Sequence, residues 1–340
     1  MEFVPTMIAS FVLALVLTPV ARRLAHRFGV IDQPSSRKVH TAATPLMGGL
    51  AIYGGLVLAL LLFTPSVYLV EMLVIGAGAS WLALIGLIDD RIGLGFRVKL
   101  LAQTLAAIAL VLAGIGINLV HVPLIDAALT VIWVVALTNA LNFLDNMDGL
   151  AAGLAGIAAG FFFILAVGEG QGLVASLAAA ICGAAIGFLV FNFNPASIFM
   201  GDMGSQVLGF VLAVLAIKLR FNTPLSIATW SVPVLVLGLP IFDISLVVFT
   251  RLREGRSPAE AGKDHTSHRL AQMGLGNRNA VLVLYAICIA LGSVAVWVSR
   301  STPHTALIIV AVMLVIALAA FIGLERFRIV QQRELKKKAG

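Results

Sequence analysis

The sequence predicts an all-α, polytopic integral membrane protein: a bundle of about eleven transmembrane helices, N-terminus outside and C-terminus in the cytoplasm. Three observations predict it. Of 340 residues, 60% are hydrophobic and 11% charged, where an average soluble domain is about 25% charged. Mean hydropathy is +1.05, more apolar surface than a water-soluble fold could hide. Apolar runs long enough to cross a hydrocarbon core of about 30 Å recur along the whole chain, and the basic residues between them keep to one side.

The runs fall near residues 3–21, 46–64, 68–88, 99–119, 123–141, 150–168, 172–191, 205–220, 225–249, 280–299 and 304–324. Gly and Pro punctuate most of the gaps. The first run lacks the basic lead of a cleaved signal and ends in Arg22-Arg23, so a retained span is expected. With the N-terminus outside, the inner loops hold all of the 23 Lys and Arg except Lys218, Arg220 and Arg300. Basic residues mark the cytoplasmic side, and one missed helix would scramble the pattern. The net charge of +7 then belongs to one face. Topology and anionic lipid headgroups account for it, Lys336 to Lys338 included, and no nucleic-acid partner is expected. No linker, low-complexity tract or internal repeat divides the chain. One transmembrane domain is expected over 1–325, with working loops at 31–45, 89–98, 142–149, 192–204 and 250–279, then a basic tail over 326–340. Cys182 and Cys288 lie inside predicted spans and read as small apolar fillers, not a disulfide.

Carboxylates are scarce in so apolar a chain, yet they gather in the inner loops. The first of these loops carries Arg37, Lys38 and His40, then Gly48-Gly49, where a backbone or a ligand can approach closely. Asp89-Asp90 closes the third run. Adjacent like charges at a low-dielectric boundary repel; a divalent cation, a lysine or a shared proton relieves them. Arg97 and Lys99 follow closely and suit either neutralisation of the pair or a phosphate.

The segment Asn139 to Gly149 holds Asn139, Asn142, Asp145, Asn146 and Asp148. At 100° per residue the first four share an arc of about 120° on a helix. Asp148 points away unless the helix ends first, which Gly149 favours. Amide and carboxylate oxygens are the hard ligands that Mg²⁺ takes beside phosphate and water; a helix cap needs fewer polar residues than this. Next, Asn194-Pro195 begins a turn that leads to Gly201-Asp202-Met203-Gly204-Ser205. Ser205 is expected to open the eighth span, with the free amides of that helix end aimed at a phosphate or capped by Asp or Ser. Asp243 lies within the ninth run, just after Pro240. A charge there is costly, so it must face the bundle interior with a partner.

The longest inner loop, 251–279, carries Arg251, Arg253, Arg256, Lys263, Asp264, His265, His268 and Arg269. His265 and His268 share a helical face. Without a cysteine or a third close ligand, contacts to phosphate or sugar are favoured over zinc.

Taken in order, these motifs resemble the polyprenyl-phosphate N-acetylhexosamine-1-phosphate transferases, of glycosyltransferase family 4 type, over roughly residues 35–275. The resemblance implies a bacterial cytoplasmic-membrane enzyme whose active site faces the cytoplasm. It implies transfer of a HexNAc-1-phosphate from a UDP-sugar to polyprenyl phosphate with release of UMP, dependent on Mg²⁺ or on Mn²⁺ in its place. By position Asp202 and Asn142 match the metal ligands, and Asp89 and Asp90 the catalytic pair, with Asp90 assigned to the lipid phosphate and Asp89 to support of the metal. Lys99, Asn139, Asp145 and Asp148 fall on substrate-facing positions. Arg251, Arg253, His265, His268, Lys38 and His40 are expected to bind substrate, and Pro240 to Asp243 matches the family's Pro-x-x-Asp. Asp264-His265-Thr266-Ser267-His268-Arg269-Leu270 is similar to the His-x-His-His-Arg-Leu of the GlcNAc branch, with Ser267 in place of the middle His. The loop lacks the His-His-His-Phe-Glu run of the enzyme that makes lipid I, which favours UDP-GlcNAc over a MurNAc-pentapeptide donor. A homodimer is a further expectation. A secondary transporter, the rival from another class, would carry midplane charges and repeated halves; here only Asp243 lies deep.

Overall fold

The computed structural model describes residues 2–33, 43–221, 227–260 and 262–339, without the side chains of 227–228 and 333–339. Lys38 and His40 lie outside the described residues. The chain forms two compact units, Met1–Asn222 and Thr223–Gly340.

The first unit holds α1 (Val4–Phe28), a short antiparallel pair β1 (Ile31–Asp32) and β2 (Thr44–Pro45), α2 (Gly49–Phe63), α3 (Leu69–Ile92), α4 (Phe96–Leu112), α5 (Pro123–Leu144), α6 (Leu150–Gly168), α7 (Gly172–Asn192) and α8 (Gly201–Lys218). The second holds α9 (Ile227–Val236), α10 (Gly238–Arg253), α11 (Thr266–Leu270), α12 (Gly276–Ser299) and α13 (Pro303–Ala339). Among the described residues, eight helices are long and apolar enough to cross a bilayer, or nine if the bent pair α9–α10 is one span. The chain is a multi-pass helical membrane protein.

Helix α8 is the axis of the first unit, with 89% of its apolar window buried. Small residues let its neighbours come close, as membrane helix packing requires. A Cβ on Gly86 of α3 would sit 2.5 Å from the Met203 backbone, and one on Gly209 would sit 2.7 Å from Thr138 of α5. Gly49 of α2 abuts Gly204 so closely that any side chain there collides with its backbone. The amides of Gly48 and Gly49 donate to the carbonyls of Phe199 and Met200 at 2.9 and 2.8 Å. Of the two partners the sequence allows at Gly48-Gly49, it is therefore a backbone that approaches.

Several boundaries differ from the sequence expectation, each for a local reason. Helix α4 stops at Leu112 rather than near 119. Gly114 takes a positive φ of 77°, and the amides of Ile117, Leu119 and Val120 turn back to Thr130 and Asp126 of α5. Helix α8 starts at Gly201, not at Ser205, because a carboxylate from α3 caps it. The run 225–249 bends by 71° between α9 and α10; Pro233 lies inside α9, and Pro240 sits in the first turn of α10, where no amide is missed. Part of the 250–279 loop is helical, as α11 and a π turn over Ala271–Leu275 that is kinked at Gly274.

Within the second unit, α13 runs unbroken past residue 325. The stretch 326–340, expected as a tail, begins as part of that helix. Arg328 there reaches Asp264 at 3.0 Å, and Gln332 reaches Glu254 at 2.7 Å. Phe321 stacks edge-on with Phe242 and Phe249 of α10, centroids 6.0 and 5.3 Å apart. Cys182 and Cys288 are buried free thiols.

Candidate active site

Four helix ends of the first unit converge: the last turns of α3 and α5 and the first turns of α4 and α8. Lys99, in the first turn of α4, places its ammonium between two carboxylates, 3.0 Å from Asp89 and 2.7 Å from Asp202. Asn142, in the last turn of α5, donates from Nδ2 to Asp202 Oδ1 at 3.0 Å and to Ser205 Oγ at 2.9 Å. The side chains of Lys99, Asp89 and Asp202 keep 23%, 11% and 22% of their exposure, so solvent and ligands reach them. Residues 89, 99, 142 and 202 thus come from four separate helices to one spot.

Asp90 does something different. Its carboxylate accepts the amides of Asp202 at 2.7 Å and Met203 at 3.3 Å. The helix end expected to receive a phosphate is capped from another helix, and a carboxylate there is also favoured by the helix dipole. Gly201 makes this possible: its φ of +70° suits glycine, and a side chain would run into the Asp90 carboxylate. Asp90, assigned to the lipid phosphate from the sequence, thus has its partners on α8. Both its oxygens are taken by α8, and it braces Asp202. Asp89 also spans two partners, since its other oxygen accepts the amide of Leu94 and orders the turn into α4.

Although α5 ends at Leu144, before Asp148, the hydrogen bonds of Asp148 run to the loop before α8. Its Oδ2 accepts Asn194 Nδ2 at 2.9 Å and the amide of Ala196 at 3.0 Å, which holds the loop before α8. Asp148 thus anchors this loop through Oδ2. Asp145 caps α5 and is half-buried; burial pushes its carboxyl up to about 8, with Asp202 and Asp148 adding to the rise. Asn139 is not in the first layer. One turn deeper than Asn142, it donates to Gln103 Oε1 at 2.6 Å and to the Val135 carbonyl at 2.8 Å.

Sequence alone did not single out Gln103 and Gln206, although they sit four residues after Lys99 and Asp202 and so on the same helical faces. An amide inside an apolar span was the available signal. Gln206 is fully buried, and neither polar atom of its amide has a hydrogen-bond partner among the described residues. Unmet buried polar groups destabilise. Gln206→Met keeps the volume and removes the amide, so it should raise stability by about 1–3 kcal/mol. Thermal unfolding in detergent reads this out; a lower midpoint would mean the amide contributes an interaction after all.

The second unit has its own polar cluster. Asp243, fully buried in α10, accepts the amide of Thr266 at 2.7 Å and lies 2.8 Å from His265 Nδ1, the interior partner that its depth demanded. The His265 and His268 rings meet edge-on, 5.9 Å apart. Arg251, expected at substrate, is 2% exposed and bonds Asp264 at 3.1 Å. Arg253 bonds Glu325 at 3.0 Å. Asp264 also bonds Arg256 at 2.8 Å. Burial acts to raise its carboxyl, but the Arg256 and Arg251 hydrogen bonds outweigh it and hold Asp264 below the usual 3.8. A depressed folded value means stability that is complete above about pH 4 and is lost as pH falls through the folded value. Asp264→Asn should abolish that acid-sensitive part of the melting curve, measured from about pH 6 to about pH 3; an unchanged acid limb would count against the assignment.

The donor chemistry of the first unit fits a hard divalent cation. Two carboxylates, Asp89 and Asp202, share the Lys99 ammonium, and the charge of Asp202 adds to the burial that raises the Asp145 carboxyl. Among the described residues no group of three or more His, Cys, Asp or Glu is placed to hold a metal. Mg²⁺ commonly takes one or two carboxylates together with water and substrate phosphates; Asp202 offers such a carboxylate, and Asn142 adds an amide oxygen once its side chain turns over from its Nδ2 contact with Asp202.

Residues 72–220, which span α3 to α8 and hence this whole constellation, match the model of glycosyl transferase family 4. A Bacillus subtilis (strain 168) protein named "Probable undecaprenyl-phosphate N-acetylglucosaminyl 1-phosphate transferase" is 36% identical over 88% of this chain and 87% of its own length. The decaprenyl-phosphate N-acetylglucosaminephosphotransferase of Mycolicibacterium smegmatis is 36% identical over 78% of this chain and 74% of its own. The phospho-N-acetylmuramoyl-pentapeptide-transferase of Bacillus mycoides is 34% identical over 62% of this chain and 72% of its own. With relatives this similar aligned along most of its length, and a matched core that carries every residue of the Asp89–Lys99–Asp202 group, the chain belongs to glycosyl transferase family 4, among the polyprenyl-phosphate N-acetylhexosamine-1-phosphate transferases.

Proposed function

We propose that the protein transfers N-acetylglucosamine-1-phosphate from UDP-GlcNAc to polyprenyl phosphate in the bacterial cytoplasmic membrane, on the cytoplasmic side. An oxygen of the lipid phosphate bonds to the β-phosphorus, the bond from that phosphorus to the oxygen bridging the two phosphates breaks, and UMP leaves. The observation that carries the reading is Lys99 held between Asp89 and Asp202 with Asn142 alongside, a compact set for phosphate chemistry at the ends of four helices.

Phosphoryl transfer depends on alignment and charge neutralisation more than on covalent help. Two anionic substrates must meet. Lys99 offers a phosphate its ammonium, and Asp89 and Asp202 keep that ammonium in place. Asp90 fixes the start of α8 and thereby Asp202, so we assign it a positioning role. Asp202 and Asn142 would hold Mg²⁺, or Mn²⁺ in its place; when bound, the ion neutralises phosphate charge. The lipid phosphate is already largely ionised near neutral pH (second pKa about 6), so no strong base is demanded of Asp89.

The test is UMP release by purified protein. It should require UDP-GlcNAc, polyprenyl phosphate and a divalent cation together, and EDTA should abolish it. A panel of UDP-sugars reads the donor: a preference for UDP-MurNAc-pentapeptide would replace the GlcNAc assignment. Solute flux without UMP release would sink the enzyme reading.

A further inference from the structure

The last helix reaches into the polar cluster of the second unit. Glu325, on α13, is 6% exposed and bonds Arg253 at 3.0 Å, Arg269 at 2.9 Å and the Thr250 hydroxyl. Arg269 is itself 1% exposed. It donates to the carbonyl of Asp264 at 2.9 Å, to that of Leu324 at 2.8 Å and to Thr250 Oγ1 at 2.6 Å. Asp264, the residue before His265, is held further by Arg251, Arg256 and Arg328. His265 then meets Asp243. The segment 264–269 is thus clamped between α10 and α13, on both its backbone and its side chains.

We propose that Glu325 is a positioning residue: from the C-terminal helix it sets the placement of His265 through Arg269, and so governs the contact that His265 makes with the sugar nucleotide. The inference rests on the proposed function and on the sequence expectation that His265 binds substrate. Neutralising a carboxylate shared by two guanidinium groups removes the charge that ties Arg269 to α13, while Arg253 keeps Glu254 at 3.5 Å, so the loss falls mainly on Arg269. Displacing a binding group by about 1 Å can lower rates by as much as about 100-fold.

The experiment is a double-mutant cycle on the full-length protein, with Glu325→Gln, His265→Ala and the pair. Glu325→Gln should lower kcat/KM for UDP-GlcNAc by about tenfold through KM, while KM for polyprenyl phosphate stays unchanged. The double variant should be no worse than His265→Ala alone, since one acts through the other. Fully additive losses, or normal kinetics in Glu325→Gln, would overturn the proposal. If Glu325→Gln does not purify as folded protein, Thr250→Val, which removes the hydroxyl shared by Arg269 and Glu325, takes its place in the cycle, with the same results expected and the same results overturning the proposal. Parent protein that releases no UMP would instead refute the proposed function.

Discussion

Lys99→Met should lower UMP release by about 10²–10³-fold, the usual cost of removing one charged or hydrogen-bonding group aimed at developing charge. The ammonium lies 3.0 Å from Asp89 and 2.7 Å from Asp202. Its loss removes a phosphate partner and also leaves two carboxylates facing each other. Like charges in a partly desolvated place disfavour ionisation, so one would take a proton and the geometry around Asn142 would relax. The stability change should be smaller, about 1–3 kcal/mol, between the values for exposed and buried ion pairs. Lys99→Arg keeps the charge but not its compact shape, and partial activity is expected. Turnover of Lys99→Met at the parent rate, with both substrates supplied, would remove Lys99 from the chemistry.

The second large effect is expected at a residue with no side chain. Gly201→Ala must hold a left-handed φ of 70°, which costs an L-residue about 1–2 kcal/mol. Its Cβ would also push against the Asp90 carboxylate. If that carboxylate moves, the amides of Asp202 and Met203 lose their acceptor. We expect a stability loss of about 2–4 kcal/mol and about 100-fold lower activity as Asp202 shifts. Asp90→Asn keeps one acceptor oxygen but turns an amide donor toward the α8 amides, so it should fall between the parent and Gly201→Ala. Melting temperature and UMP release measured on the same preparations test the link: a stable and active Gly201→Ala would show that the cap is not needed to place Asp202.

Much of the site is legible in the sequence. Asp89, Lys99, Asn142 and Asp202 stand out because charge and amide groups are expensive in apolar surroundings. The depth of Asp243 calls for an interior partner, which is His265. The same logic does not separate the roles of Asp89 and Asp90. Adjacent residues on a helix point about 100° apart, and only the position of α8 shows which one meets its amides. The partners of Asp148 are hidden from the sequence for a similar reason: Asn194 and Ala196 lie 46 and 48 residues away. Glu325 and Arg328 do not stand out, since a basic helix end next to a membrane already has an ordinary explanation in lipid headgroups.

By itself the sequence determined the solvent this protein lives in, its helical class, and the residues equipped for phosphate chemistry. Those follow from composition and from the cost of placing charge in hydrocarbon, which act residue by residue. Only the tertiary structure decided who holds whom: Asp90 on the start of α8, Asn139 on Gln103, Arg269 between Asp264 and Glu325. A helix that faces lipid on one side and other helices on the next is apolar all round. Its pattern does not say which face turns inward, and rotations of a few tens of degrees choose the partner.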